Sequence, residues 1–454
     1  MVWRHLKAAR VLQWLPGQGV LLGSNGMPKL VNTLTIGAYY RSGRLSQHLL
    51  WLACGAGVAG LLASRALIAL SPVVGVLAVL ANPQLRQTAV SCWRNGALLR
   101  AAALVAFLLL SGIYTSEWAV WRHELFRSLT WLGVPLAFTL AVPLSGRQRR
   151  AVGGLFVLST AAVALATLAK YLLDPISADA AINVGHNVQA ITGVFHIAFG
   201  TMLAQAFFWG LLLRRQQQVG PLGRAVLLAA AAVIVLTLHV LAYRTGLLVL
   251  YAGLLAYAIR LLLKKHVVFG LGLLALLALG PWVAFQTLHS VQRRVESTSW
   301  DIKQYVQGND INDYSLARRL AAVETAASII RRNWLVGVGP ADAYAAMLDE
   351  YRWKNFGLRP ANWVNVHNQY LSALIGGGVV GLAIWLSILF WPLRHRGTRR
   401  NPYIVFFILT QATVMMVADM LSLQIGLNLF VFGYGFLVVA DETNRLRANR
   451  KLPD

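Results

Sequence analysis

Hydrophobic and polar positions along this chain fall in blocks. Apolar runs close to twenty residues long recur from about residue 46 to residue 440, parted by short polar turns. A helix needs about 20 apolar residues to cross hydrocarbon, and irregular backbone cannot face lipid, so each run predicts a transmembrane helix. About twelve spans are expected: 46–64, 65–81, 97–115, 124–143, 151–173, 188–213, 225–242, 246–263, 266–286, 368–393, 402–419 and 421–440. The predicted fold class is all-α, a polytopic membrane helical bundle.

One stretch breaks the rhythm. Residues 287–366 are polar, and they run into Val366-His367-Asn368-Gln369-Tyr370-Leu371 at the start of the tenth expected span. They hold ten Lys/Arg and eight Asp/Glu, so the stretch is nearly neutral and its arginines are not part of a basic smear. Within it, Ser315 reads as an N-cap, and Leu316, Leu320, Val323, Ala327 and Ile330 recur at helical spacing up to Arg332. Trp334-Leu335-Val336-Gly337-Val338-Gly339-Pro340 should end that helix, and Pro340 should start the next, from Ala341 to about Tyr351. The expectation is a small helical lid rather than a separate domain.

Composition agrees with the block pattern: of 454 residues, 57% are hydrophobic and 13% charged, and mean hydropathy is +0.58. These values exclude a soluble globular domain. The net charge of +25 suggests nucleic acid until its distribution is read. The basic clusters fall in alternate short loops, at Arg147/Arg149/Arg150, Arg214/Arg215/Arg224, Arg260/Lys264/Lys265 and Arg394/Arg396/Arg399/Arg400, and again in the tail from Arg445 to Lys451. That is the positive-inside pattern, and no nucleic-acid partner is expected. It predicts a cytoplasmic tail over 1–45, spans one to nine over 46–286, a periplasmic helical loop over 287–366, spans ten to twelve over 367–440, and a cytoplasmic tail over 441–454. Trp3/Leu6 and Val11/Trp14/Leu15 are spaced for an interfacial amphipathic helix, with disorder the alternative. Cys54 and Cys92 are the only cysteines and are expected to stay unpaired.

Three places can carry chemistry. Arg244, in Tyr243-Arg244-Thr245-Gly246, interrupts an otherwise almost uncharged stretch from Ala225 to Leu263, too long for one span and enough for two. An ion at membrane depth is costly and faces a wet cavity or an anionic partner; snorkelling to lipid phosphate is the plainer reading. Arg318 and Arg319 open the loop helix, and a guanidinium offers a fixed fork of donors that fits phosphate oxygens. Adjacent helical residues point about 100° apart, so one of the two is expected to face a site. His367 lies between Asn365 and Asn368; it can take a proton from a hydroxyl, and a neighbouring amide can set its tautomer. The plainer reading is an interfacial histidine. His186 and His196 are weaker candidates, as is Asn368. Asp310 and Asp313 are weak evidence for a cation site, and no metal or cofactor is expected. There is no glycine-rich phosphate loop and no nucleophile elbow.

Together these residues resemble the O-antigen ligase family, whose domain also occurs in O-antigen polymerases and bacterial O-oligosaccharyltransferases. The resemblance covers about Ala225 to Ile384. It is carried by Arg244-Thr245-Gly246, Ser315-Leu316-Ala317-Arg318-Arg319-Leu320, Leu335 to Pro340, His367 to Leu371 and Gly378-Val379-Val380-Gly381. It implies essential arginines at Arg244 and, by the Ser-x-x-x-Arg-Leu spacing, Arg319, and an essential histidine at His367. Val323 stands where the family often has a tryptophan, which leaves Arg318 open as the alternative. It further implies undecaprenyl-diphosphate-linked O-antigen as donor, the lipid A–core saccharide as acceptor, and membrane lipid around both. The implied reaction is a metal-independent, inverting glycosyl transfer on the periplasmic side of the inner membrane. A polymerase using the same donor is the nearest alternative; a lipid or solute transporter is the alternative from another class.

Overall fold

The computed structural model describes residues 36–90, 92–174, 188–354 and 356–450. The expected amphipathic helix before residue 16, and His186, lie outside them. Among the described residues the fold is all helical, without strands. The helices that matter here are α1 (Arg44–Ala63), α2 (Arg65–Leu80), α3 (Gly96–Ser111), α4 (Trp118–Leu140), α5 (Gly146–Leu173), α6 (His196–Arg214), α7 (Pro221–Val240), α8 (Arg244–Leu263) and α9 (Val267–Thr287). Three helices follow in the polar stretch: α10 (His289–Val306), α11 (Ser315–Arg332) and α12 (Ala343–Trp353). The chain then returns to apolar helices, α13 (Gln369–Phe390), α14 (Pro402–Val414) and α15 (Gln424–Gly433); α15 runs through a π-helical turn, Tyr434–Val439, into α16 (Ala440–Arg450).

Each expected span falls on a helix, but the count of about twelve is not reached by length and apolar composition. Eight described helices satisfy both, or nine if α2 and the bent piece after it form one span. α3 and α14 are apolar but short, 16 and 13 residues. α4 is long enough yet carries Arg122, Glu124 and Arg127 in its first half. The reason is physical: a broken or short helix beside longer ones still fills a bundle, and a hydropathy window cannot see the break.

Burial orders the bundle. In α6, 78% of the apolar window is buried, so it is the central helix; in α9 only 11% is, so it lies at the perimeter. Trp131, Trp385, Phe430, Phe407 and Tyr434 interlock beside α6, with Trp131 and Trp385 edge to face at 5.9 Å.

Two contacts tie the loop between α11 and α12 to this bundle. Asp342, ahead of α12, accepts from Thr115 Oγ1 (2.5 Å), Ser116 N (2.8 Å) and Ser116 Oγ (2.5 Å) at the α3–α4 turn. Burial works against its charge, but these hydrogen bonds win and hold the carboxyl below the usual carboxylate range. The second tie is a clasp. α13 is broken at Gly378 (φ 55°), and the freed backbone pairs with the 334–339 loop. Val338 N and Gly339 N donate to the Ile375 and Gly376 carbonyls at 2.9 and 3.0 Å, and Val379 N donates to the Trp334 carbonyl at 2.8 Å. A Cβ on Gly337 would lie 2.5 Å from the Gly376 carbonyl carbon, and one on Gly378 2.3 Å from that of Leu335. Two of the sequence motifs are therefore the two halves of one contact.

Local expectations in the polar stretch need correction. Ser315 is the first helical residue of α11 and not its cap: Tyr314 holds the cap position and makes no side-chain cap. The Asp301 carboxylate does that work from α10, accepting from Leu316 N at 2.7 Å. The buried stripe of α11 is Ala317, Ala321, Ala322, Thr325, Ala326 and Ile329, while Val323 is exposed. Small alanines let α11 approach its neighbours closely, and a pattern read from large apolar residues misses them. The next helix starts at Ala343, after a turn through Pro340 and Ala341.

Candidate active site

Arg244 is the first residue of α8, placed there by the tight hairpin Leu241-Ala242-Tyr243. Ala242 takes a positive φ of 47°, and Tyr243 N bonds to the Leu238 carbonyl at 3.1 Å. Gly246 completes the motif. A Cβ there would sit 2.9 Å from Gly200 Cα on α6 and 2.5 Å from Leu238 Cδ2, so only glycine lets the start of α8 lie against the central helix. Thus the Arg-Thr-Gly sequence reads as a charge followed by the close contact that aims it.

α10 brings in residues that the sequence reading passed over. Its buried face is polar: Arg294 is 4% exposed, Asp301 7% and Gln304 8%, while Val295, Ile302 and Val306 are exposed on the other side. The signal was in the sequence, because Arg294, Thr298 and Asp301 recur at i, i+4 and i+7. Arg244 Nη1 donates to Thr298 Oγ1 at 3.0 Å, and that hydroxyl donates to the Arg294 carbonyl at 2.6 Å. Burial, then the charge of Arg244, lowers the Arg294 guanidinium to about 10.

α11 supplies Arg318 and Arg319, and the structure separates them. Arg319 is lowered by burial and then by the charges of Arg244 and Arg318, so it belongs to the same cluster. Arg318 Nη1 turns to Asn362 Oδ1 at 3.1 Å, an amide that is itself bound to Asn312 at 2.8 Å. The charges of both arginines reach His367, Arg319 more strongly than Arg318.

His367 precedes α13 on an extended segment. Burial, then Arg319 and Arg318, lowers it to about 4, so at neutral pH the imidazole is uncharged with a free lone pair. Asn368 is not its partner. That side chain caps α13, accepting from Tyr370 N (2.9 Å) and Leu371 N (3.0 Å), and donates to the Met416 carbonyl at 2.9 Å. Asn365 Oδ1 accepts from Val366 N at 2.8 Å. Neither amide bonds to the imidazole, so the tautomer is not set from these neighbours. His196, at the start of α6, also lies within electrostatic reach of Arg319, Arg294 and Arg244. Asp310 is spent on Asn312, and among the described residues no three His, Cys, Asp or Glu side chains are grouped to hold a metal ion.

The arrangement therefore gathers Arg244, Arg294 and Arg319, with Arg318 behind, where a span end, two helices of the polar stretch and the approach to α13 meet. Asp301 is the carboxylate whose charge reaches Arg244. Positive charge in excess, desolvated and held in forked donors, suits an anion with several oxygens; an uncharged imidazole beside it suits a hydroxyl.

Comparison with known proteins agrees on the region. Residues 225–386, which run from α7 into α13 and contain every residue of this cluster except His196, match the family described as O-Antigen ligase. Over these residues the chain thus matches a domain shared by O-antigen ligases and polymerases. With its long apolar helices it is a multi-pass membrane protein. No curated protein matches the chain.

Proposed function

We propose that the chain is an O-antigen ligase of the inner membrane, working at its periplasmic face. It moves O-antigen polysaccharide from undecaprenyl diphosphate to the lipid A–core saccharide. The observation that carries this reading is that Arg319 bears on an uncharged His367 on one side and on Arg244, itself set beside Arg294, on the other. Outside the cytoplasm no nucleotide sugar is at hand, so an activated donor must come through the membrane. A diphosphate linked to a lipid is such a donor, and its several oxygens suit the forked donors of the arginines.

In the proposed step, the guanidiniums bind the diphosphate oxygens and stabilise the charge that grows there as the glycosidic bond breaks. His367 accepts the proton of the attacking core hydroxyl as its oxygen bonds to the anomeric carbon. The donor's own charge offsets Arg319 and Arg318, so its binding raises the basicity of the imidazole when it is needed. One displacement inverts the anomeric centre. Undecaprenyl diphosphate leaves, and the proton passes from His367 to solvent or to the leaving phosphate. The basic-loop alternation supports a periplasmic 287–366 and cytoplasmic termini.

The test is reconstitution of the purified chain with lipid-linked O-antigen and lipid A–core. Transfer to the core supports the reading. Growth of the lipid-linked glycan, with no product on the core, would assign the site to a polymerase instead. In a deletion strain the two differ in the same way: free core with lipid-linked polymer accumulating, against core bearing a single repeat unit.

A further inference from the structure

A second site lies beside the first. A cavity of about 320 Å³ opens between α3, α4, α13 and the residues ahead of α15. None of Arg244, Arg294, Arg318, Arg319 or His367 lines it. Asn365 and Gln369 do, two residues to either side of His367. The segment that carries the histidine therefore lines the cavity on both sides of His367, while Arg319 and Arg318 act on the imidazole itself. The size falls at the lower end of the roughly 300–1,000 Å³ usual for small-molecule sites, and the make-up also fits: an apolar floor with a few polar groups.

The floor is aromatic, with Phe107, Trp131 and Trp385. Its charged and polar lining includes Glu124, Arg127, Ser372 and Asp419. Arg127 is spent: Nη1 donates to Glu124 at 2.6 Å, and Nη2 to the Leu421 and Ser422 carbonyls at 2.6 and 2.9 Å. Asp419 faces the Ser372 and Ser422 hydroxyls and the charge of Arg127 and keeps acceptor capacity beside them; with it stand the NH2 groups of Asn365 and Gln369, whose oxygens already accept from Val366 N and Leu421 N. With two carboxylates against one arginine, this lining differs in sign from the arginine cluster. It repels a diphosphate, and it can accept from and donate to hydroxyls, while the ring faces below suit the C–H faces of a sugar.

We propose that this cavity is the acceptor subsite. It holds the outer sugar of a lipid-borne saccharide through Asp419, Asn365 and Gln369, and so presents the attacking hydroxyl to His367. The proposal rests on the transfer reaction proposed above. It makes His367 the boundary between an anion-binding half and a hydroxyl-binding half, with donor and acceptor entering from different sides.

The experiment uses the full chain in nanodiscs and two measurements. The first is equilibrium binding of lipid A–core without donor, read by tryptophan fluorescence, since Trp131 and Trp385 line the cavity. The second is steady-state transfer, with KM measured separately for each substrate. Loss of a hydrogen bond to a charged group is worth about a ten- to hundredfold change. Asp419→Asn should weaken lipid A–core binding and raise the acceptor KM by that factor, with the donor KM near that of the unaltered protein. Ala343→Leu, which adds bulk at the half-buried rim without touching Asp419, should do the same. Unchanged acceptor KM in both variants, with normal transfer, would overturn the subsite and leave the ligase reading standing. Equal rises in both KM values would overturn it as well. Binding of lipid A–core that depends on Asp419, in a protein that transfers nothing, would keep the subsite and sink the ligase reading.

Discussion

Arg244 donates to the Thr298 hydroxyl at 3.0 Å, and through that bond the first turn of a membrane helix is fixed to a helix of the polar stretch. The same hydroxyl bonds to the Arg294 carbonyl, so two arginines from different elements are set by one side chain. Like charges do not gather without a reason. Each of these guanidiniums is desolvated and raises the cost of the others, and a bound polyanion removes that cost.

The arginines should therefore not tolerate lysine. A lysine keeps the charge but loses the fork. Arg244→Lys and Arg319→Lys should each lower transfer at least tenfold, and Arg294→Lys should do likewise. Arg318→Lys should be milder, because that side chain is turned to Asn362. Full activity in the first three variants would mean that the cluster supplies only general positive charge.

The orientation can be measured directly. Cysteines introduced at Ser299 or Asp349 should react with an impermeant reagent in intact spheroplasts, as the positive-inside pattern requires. Labelling only after lysis would put the arginines on the wrong face for a lipid-linked donor.

The fold was legible where the chain is monotonous, and the site only where it is not. Apolar runs located the membrane helices, because hydrophobic length has one common use. The break in α13 at Gly378 was not visible, since Gly378-Val379-Val380-Gly381 reads as ordinary helix until Leu335 to Gly339 is laid against it. Arg244, Arg319 and His367 stood out in the sequence because each sits beside a motif. Arg294 did not: it lies in a charged helix where Arg293 next to it is exposed, and only the buried face of α10 tells the two apart. Ser315 misled for a related reason. A serine at a helix start reads as its own cap, but the cap came from Asp301, fourteen residues earlier in the chain and on another helix.

Acidity should act on the free and donor-bound protein differently. His367 is held at about 4 by burial and by Arg319 and Arg318, so its base form persists down to that pH and is lost below it. Donor charge weakens the repulsion and raises the value. The acid limb of kcat should then lie at higher pH than the acid limb of kcat/KM. Coincident limbs, or an acid limb that persists in His367→Gln at the same pH, would assign the titration to another group.

Guanidiniums can supply the positive charge that a diphosphate leaving group needs. Transfer in excess chelator should run at close to the normal rate. Loss on chelation, restored by magnesium or manganese, would contradict this and turn attention to Asp310 and Asp313.

The central claim is that His367 takes the proton while the arginines hold the donor. Single-turnover transfer by His367→Ala, measured beside its affinity for undecaprenyl-diphosphate-linked glycan, tests it most directly. Removal of a general base costs on the order of 10²–10⁴-fold in rate. The account predicts a loss of that size with donor affinity nearly unchanged, and a comparable loss in His367→Gln. Near-normal turnover in His367→Ala, or a loss explained wholly by weaker donor binding, would contradict it.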